Sequence, residues 1–267
     1  MWQSNPRGVE INSTEKSDIE VNMLVFNVTE MAAKHLCRRY KKGVDNAFFN
    51  VPTSSIEEDI QSQSGHSREQ IHFVVDVIKI GDDYNFIVVE YETHWCHIIH
   101  QVKENDVGVF VNRFYTRWFN SIGFMAEHYG LFCGSEMQAG IDNFFSCHDE
   151  MYFYIRKDKS LNDIIKKISH KYRNAYCLAE CYPENEEVAC GYDVSINKCS
   201  NNKDRGENSN AAEGMMLLFL RDYFGWTAKK LSSARAIIKD EENNHDDSVL
   251  INKDIFTVEN FDNRRLH

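Results

Sequence analysis

Ile71-His-Phe-Val-Val-Asp-Val-Ile-Lys-Ile80, Gly81-Asp82-Asp83, Tyr84-Asn-Phe-Ile-Val-Val-Glu-Tyr-Glu-Thr-His-Trp95 is the stretch that decides the fold. Two runs rich in β-branched and aromatic residues flank a Gly-Asp-Asp cluster, the signature of a β-hairpin. A hairpin cannot bury its apolar face alone, so more strands are expected around it. The segment Glu20 to Val28, with Val21, Leu24, Phe26 and Val28, reads as one strand, and Cys96 to Val102, Val107 to Phe114 and Met151 to Arg156 as three more.

Helix signals stand on both sides of this region. Thr29 reads as an N-cap for a helix over Glu30 to Tyr40, which is basic at its C-terminal end as the macrodipole favours. Ser54 or Ser55 caps a short helix, Ile56 to Gln63, that begins with acidic residues. A helix from about Arg117 to His128 is expected to stop at Gly130, and Ser160 to cap Leu161 to Tyr176, where Leu161, Ile164, Ile165, Ile168 and Tyr172 follow the helical period. Cys177 to Asn210 reads as irregular with a short strand around Glu187 to Val194. Ala211 to Phe224 is apolar nearly all round and reads as a buried helix, Thr227 caps another to about Lys239, and Val249 to Phe256 reads as a terminal strand. The pattern predicts an α+β protein: an antiparallel sheet or β-sandwich flanked by helices at both ends of the chain. No stretch has linker composition, so residues 1–267 are expected to form one domain with an N-terminal arm over about 1–18.

The 267 residues carry 42% hydrophobic and 12% aromatic side chains, enough for a substantial core. A formal net charge of −11 works against nucleic acid and anionic membrane as partners, because both would repel the averaged field. The start of the chain has no apolar segment of signal-peptide type, so a cytoplasmic location is expected. The eight cysteines, Cys37, Cys96, Cys133, Cys147, Cys177, Cys181, Cys190 and Cys199, are then expected as thiols, and the sequons at Asn12 and Asn27 are expected to stay unmodified.

Several clusters have the composition of chemical sites. Cys177, Cys181, Cys190 and Cys199 could bind zinc as four thiolates, but their spacing lacks the short paired knuckles of zinc modules. If His94-Trp95-Cys96-His97-Ile98-Ile99-His100 is extended, His94, Cys96 and His100 share one face and His97 takes the other. Cys133-Gly134-Ser135 and Cys147-His148-Asp149 place thiols beside polar partners in sequence, which does not make a dyad in space. Asp76, Glu90 and Glu92 invite comparison with nucleases that hold a metal between acidic residues on adjacent strands, although no Glu-x-Lys accompanies them. Nucleotide-binding, zinc-protease and hydrolase motifs are absent. The expectation is of no catalytic residue, no metal ligand and no cofactor.

The C-terminal quarter carries a resemblance. An apolar helix with Phe219, Tyr223, Phe224 and Trp226, then Glu242-Asn-Asn-His245-Asp, then Val249-Leu-Ile251 resembles the polyhedrins of cypoviruses, the insect-virus proteins that crystallise around virions. The resemblance implies a β-sandwich with helices, an N-terminal arm reaching neighbouring molecules, and trimers packed in an occlusion body in the cytoplasm of an infected cell. It also implies virus particles as partners and dissolution of the matrix at alkaline pH. Tyrosine, cysteine and lysine titrate at about 8.5 to 10.4, so an alkaline shift adds negative charge to a chain that is already acidic. A second expectation, from another class, is an intracellular viral or bacterial enzyme, a metal-dependent nuclease using Asp76, Glu90 and Glu92.

Overall fold

The computed structural model describes residues 23–37, 49–62, 70–80, 82–100, 106–132, 134–148, 150–156, 162–170, 186–198 and 210–244. The N-terminal arm, the terminal strand at 249–256, Cys133, Asp149, Cys177, Cys181 and Cys199 lie outside these residues. In chain order the elements are β1 (Met23–Val28), α1 (Glu30–Leu36), α2 (Ile56–Ser62), β2 (Gln70–Ile80), β3 (Asp83–Glu90), β4 (Cys96–His100), α3 (Val107–His128), α4 (Gly134–Cys147), β5 (Glu150–Ile155), α5 (162–170), α6 (Glu186–Lys198), α7 (Ala211–Asp222) and α8 (Ala228–Asn244).

The hairpin forms as expected, with Ile80 opposite Asp83 at its closed end and Phe73 opposite Glu90 at its open end. β4 adds antiparallel to β3, giving the order β4-β3-β2-β1-β5. The expected antiparallel sheet or sandwich is corrected at β1, which runs parallel to both β2 and β5, so the α+β fold is built on one mixed sheet. The burial of β1 explains its place. Leu24, Val25, Phe26 and Val28 are all fully buried, and a strand apolar on both faces belongs in the middle of a covered sheet, where a parallel neighbour is accommodated.

Phe26 sits opposite Phe73 on one side and Phe153 on the other, and its ring stacks on both, at 5.4 and 4.9 Å between centroids. α3 lies across this row, with Phe114 edge-on to Phe26 at 5.0 Å. Phe110, Phe114, Trp118, Ile122 and Met125 recur every three or four residues and form its buried stripe. This helix replaces the strand expected at Val107 to Phe114. β-branched residues suggested a strand there, but the side chain of Asp106 accepts from the amides of Gly108 and Val109 and starts a helix, and Gly130, at φ +60°, ends it. α1, α4 and α7 join the same core, with α8 laid on it through Ala234 and Ile238. On the opposite face Val74, Ile78, Ile87, Val89 and Ile98 pack against Ile56 of α2, Ile165 and Ile168 of α5, and Ile196 of α6.

Both short helices near the chain start have the predicted caps. Thr29 accepts from the amide of Ala32. Ser55 and Glu58 bond each other's amides reciprocally, at 3.1 and 2.8 Å, which is a capping box.

Candidate functional site

Among the described residues β4 is an edge strand, and the outward peptides of an edge must find partners that are not another strand. Side chains supply them. Asn197 of α6 accepts from the Cys96 amide at 2.9 Å and donates to the Cys96 carbonyl at 2.6 Å. Arg117 of α3 donates to the Ile98 carbonyl at 3.2 Å, and Arg113 to the His100 carbonyl at 3.2 Å. Positions 96, 98 and 100 are the alternate residues whose peptides point away from β3, so the free side of β4 is occupied along its length. At β5 the partner is backbone instead: the Asn50 N–H donates to the Phe153 carbonyl and the Asn50 carbonyl accepts from the Ile155 amide, a parallel bridge opposite Tyr154.

Arg117 is also the centre of a buried charge cluster. Its guanidinium makes two bonds to Glu186, at 2.6 and 2.8 Å, and one to Asp193 at 3.1 Å. Glu186, Cys190, Asp193 and Asn197 fall on one face of α6 at spacings of four, three and four. Burial pushes the Asp193 carboxyl up to about 7, against the pull of Arg117. Burial likewise raises the Cys190 thiol to about 12, and burial followed by the charge of Arg117 lowers His97 to about 3. Near neutral pH the thiol is therefore protonated and the imidazole uncharged. The indole N–H of Trp95 donates to His97 Nδ1 at 3.3 Å, which places the imidazole proton on Nε2, a buried atom with no hydrogen-bond partner among the described residues. Through Arg117 and Asn197 this arrangement grips the backbone of β4 at Ile98 and Cys96.

A second polar centre closes the β3–β4 turn. The buried Glu90 carboxylate accepts from the amides of Glu92 and Thr93, at 3.1 and 2.6 Å, and from the Thr93 hydroxyl at 2.6 Å. Within this frame His94 takes the left-handed conformation, φ 58°, with its amide bonded to the Glu90 carbonyl. α7 begins against the turn: a Cβ on Gly214 would stand 3.5 Å from that of Thr93, an ordinary contact. Next to it the buried Glu213 pairs with Arg235 of α8 at 3.0 Å.

The clusters expected from sequence are dispersed. The register sets Asp76 opposite Ile87 on one face of the sheet and Glu90 opposite Phe73 on the other, so those two carboxylates do not converge on one ion. Asp76 accepts from the Thr29 hydroxyl, and Glu92 is exposed in the turn. His94 is not part of an extended strand and does not share a face with Cys96 and His100, because β4 begins at Cys96. His100 Nδ1 is 3.0 Å from Asn85 Oδ1. His148 uses Nδ1 on the Phe144 carbonyl at 3.0 Å and has Nε2 3.4 Å from the Tyr223 hydroxyl, so Cys147 is not its partner. Cys190 is the only member of the four-cysteine group within the described residues. Among those residues no three His, Cys, Asp or Glu side chains gather to hold a metal, and no helix is long and apolar enough to cross a membrane.

Arg117 and the polar face of α6 went unread in the sequence, although the 186, 190, 193, 197 spacing was a usable signal. The strand expected around Glu187 to Val194 concealed it, and α6 corrects that expectation.

The chain matches no protein-family model, no curated protein and no solved structure.

Proposed function

We propose that this chain is a structural protein that associates with copies of itself. The observation that carries the reading is how its buried ionisable side chains are used. Glu90, Arg117, His148 and Asp193 are residue types suited to catalysis, and each is engaged with the chain's own backbone or with a neighbouring helix. An enzyme leaves some of these groups facing a cleft where substrate can reach them. Met31, Val51 and Tyr84 are 54, 69 and 42% exposed and offer apolar surface for packing between copies.

The form of assembly favoured is the one the C-terminal resemblance implies: a crystalline occlusion-body matrix around virions, built from trimers in the cytoplasm of an infected cell and dissolved by alkali. The aromatic side chains that carry that resemblance are packed together around the end of α7, with Phe219 and Tyr223 at 4.8 Å and Phe219 and Phe224 at 5.8 Å between ring centroids. The test pairs two measurements on the purified full-length chain. Electron microscopy at neutral pH should show ordered particles, and incubation with DNA or RNA and Mg2+ or Mn2+ should leave the nucleic acid intact. Metal-dependent cleavage that is lost in Asp76→Asn or Glu90→Gln would favour the nuclease instead.

A further inference from the structure

We propose that Ser232 is a phosphorylation site, read by a serine kinase that recognises two cations ahead of its target and takes the phosphoryl group from a nucleoside triphosphate. Lys229 and Lys230 stand three and two positions before the hydroxyl in Lys229-Lys230-Leu231-Ser232. Kinases choose substrates by charge patterns of this kind, because acidic side chains in the kinase cleft pair with the two cations and set the hydroxyl at the transferring phosphate. Thr227 to Lys230, Ser232 and Ser233 are all exposed, so both cations and the hydroxyl face solvent. The site stands whether or not the chain self-assembles.

The same four-residue pattern occurs at Lys166-Lys167-Ile168-Ser169, and burial separates the two. Ile168 and Ser169 are each 8% exposed, and Ile168 packs in the core between α5 and the sheet. A kinase cleft takes its substrate extended, so the target segment must also leave its helix. α8 permits this at its start. From Thr227 to Ser233 only Leu231 is even half-buried, and Ala234 is the first residue of α8 to enter the core. A helix end with so little buried surface opens far more readily than the core does.

In the transfer the bond from Ser232 Oγ to the γ-phosphorus forms as the bond from that phosphorus to the β–γ bridging oxygen breaks. The hydroxyl proton passes to a kinase carboxylate, and the nucleoside diphosphate leaves. The hydroxyl that donates to the Ala228 carbonyl at 3.0 Å is then replaced by a group of about −1.5 to −2 charge with three acceptor oxygens. Arg235, three residues on, lies on the same side of α8. It is half-exposed and bonds the buried Glu213 at 3.0 Å, a pair that ties α8 to α7. The phosphate competes for that guanidinium and weakens the tie.

The experiment incubates the folded full-length chain with Mg2+, ATP and the catalytic subunit of cyclic-AMP-dependent protein kinase, and locates phosphate by tandem mass spectrometry. The expected result is phosphate on Ser232 and none on Ser169, with the rate lowered about tenfold in the double variant Lys229→Gln, Lys230→Gln. Hydrogen exchange of the α8 amides should be faster in the phosphorylated chain than in the unmodified one, and that difference should shrink in Arg235→Gln, where no guanidinium is left to draw away. No transfer to the folded chain, whether or not a peptide of residues 226–236 is phosphorylated, would overturn the site. Transfer to Ser169 or Ser233 in place of Ser232, or equal labelling of Ser232→Ala, would do the same. Exchange in α8 that phosphorylation leaves unchanged would overturn the role given to Arg235. Labelling of the wild-type chain decides the site even if a variant does not fold.

Discussion

Asn197 makes to Cys96 both hydrogen bonds that a further strand would make: its carbonyl oxygen receives the Cys96 N–H at 2.9 Å and its amide nitrogen donates to the Cys96 C=O at 2.6 Å. One side chain thus stands in for a neighbouring strand at the buried start of β4. Replacing it with alanine removes both of these bonds from a buried peptide, which should destabilise the protein by about 2 to 4 kcal/mol. Urea unfolding would measure this. Arg113→Ala, at the more exposed His100 end, should cost less than about 1 kcal/mol, and equal losses at the two positions would contradict the edge-capping account.

The row Phe73, Phe26, Phe153 under α3 is the centre of the fold. Phe26→Ala removes a ring that stacks on two neighbours and meets Phe110 and Phe114 edge-on, so a loss of about 3 to 5 kcal/mol is expected in equilibrium unfolding. A loss below about 1 kcal/mol would show that this row is not the core.

His97 sets an acid limit. Its folded pKa, about 3, lies below the unfolded value of 6.5, so the unfolded chain binds a proton first and stability is lost as pH falls from about 6.5 toward 3. Thermal unfolding should show this decline in the wild type and a shallower one in His97→Gln, which keeps a polar side chain beside Trp95. Identical acid limbs would mean that other groups cause the decline.

Removing the first seventeen residues tests the arm that the polyhedrin resemblance implies. The truncated chain should keep the wild-type circular dichroism spectrum and unfolding midpoint but no longer assemble. Assembly indistinguishable from wild type would remove the arm from the proposal.

Strong local signals made much of the fold legible. The hairpin turn, the Thr29 cap and the Gly130 stop each act over a few residues and each stands where the sequence places it, and of the two serines read as caps for α2 it is Ser55 that serves. What was hidden depends on long-range pairing. Nothing in Leu24 to Val28 says that its neighbours are β2 and β5, both parallel, and without that knowledge an antiparallel sheet was the simpler expectation. α3 was half missed because Val107, Val109 and Val111 outweighed the Asp106 cap and the Phe110, Phe114, Trp118 spacing. α4 was not anticipated at all. Of the polar centres, Glu90 was singled out for chemistry but serves a turn, while Arg117 was seen only as part of a helix. Its role depends on three carbonyl and carboxylate partners from distant parts of the chain, which no local pattern reveals.

Light scattering of the purified full-length chain, recorded as pH is raised from 7 to 12, tests the claim of self-assembly most directly. Lysines losing charge and tyrosines gaining it both drive an already acidic chain toward self-repulsion. Tyr152 titrates above the usual tyrosine range because its hydroxyl bonds Glu150, and Tyr154 does so because it is partly desolvated. The account predicts particles many times the monomer mass at pH 7 and a steep fall in scattering between roughly pH 10 and 11. A chain that scatters as a monomer at pH 7 at every concentration would contradict it.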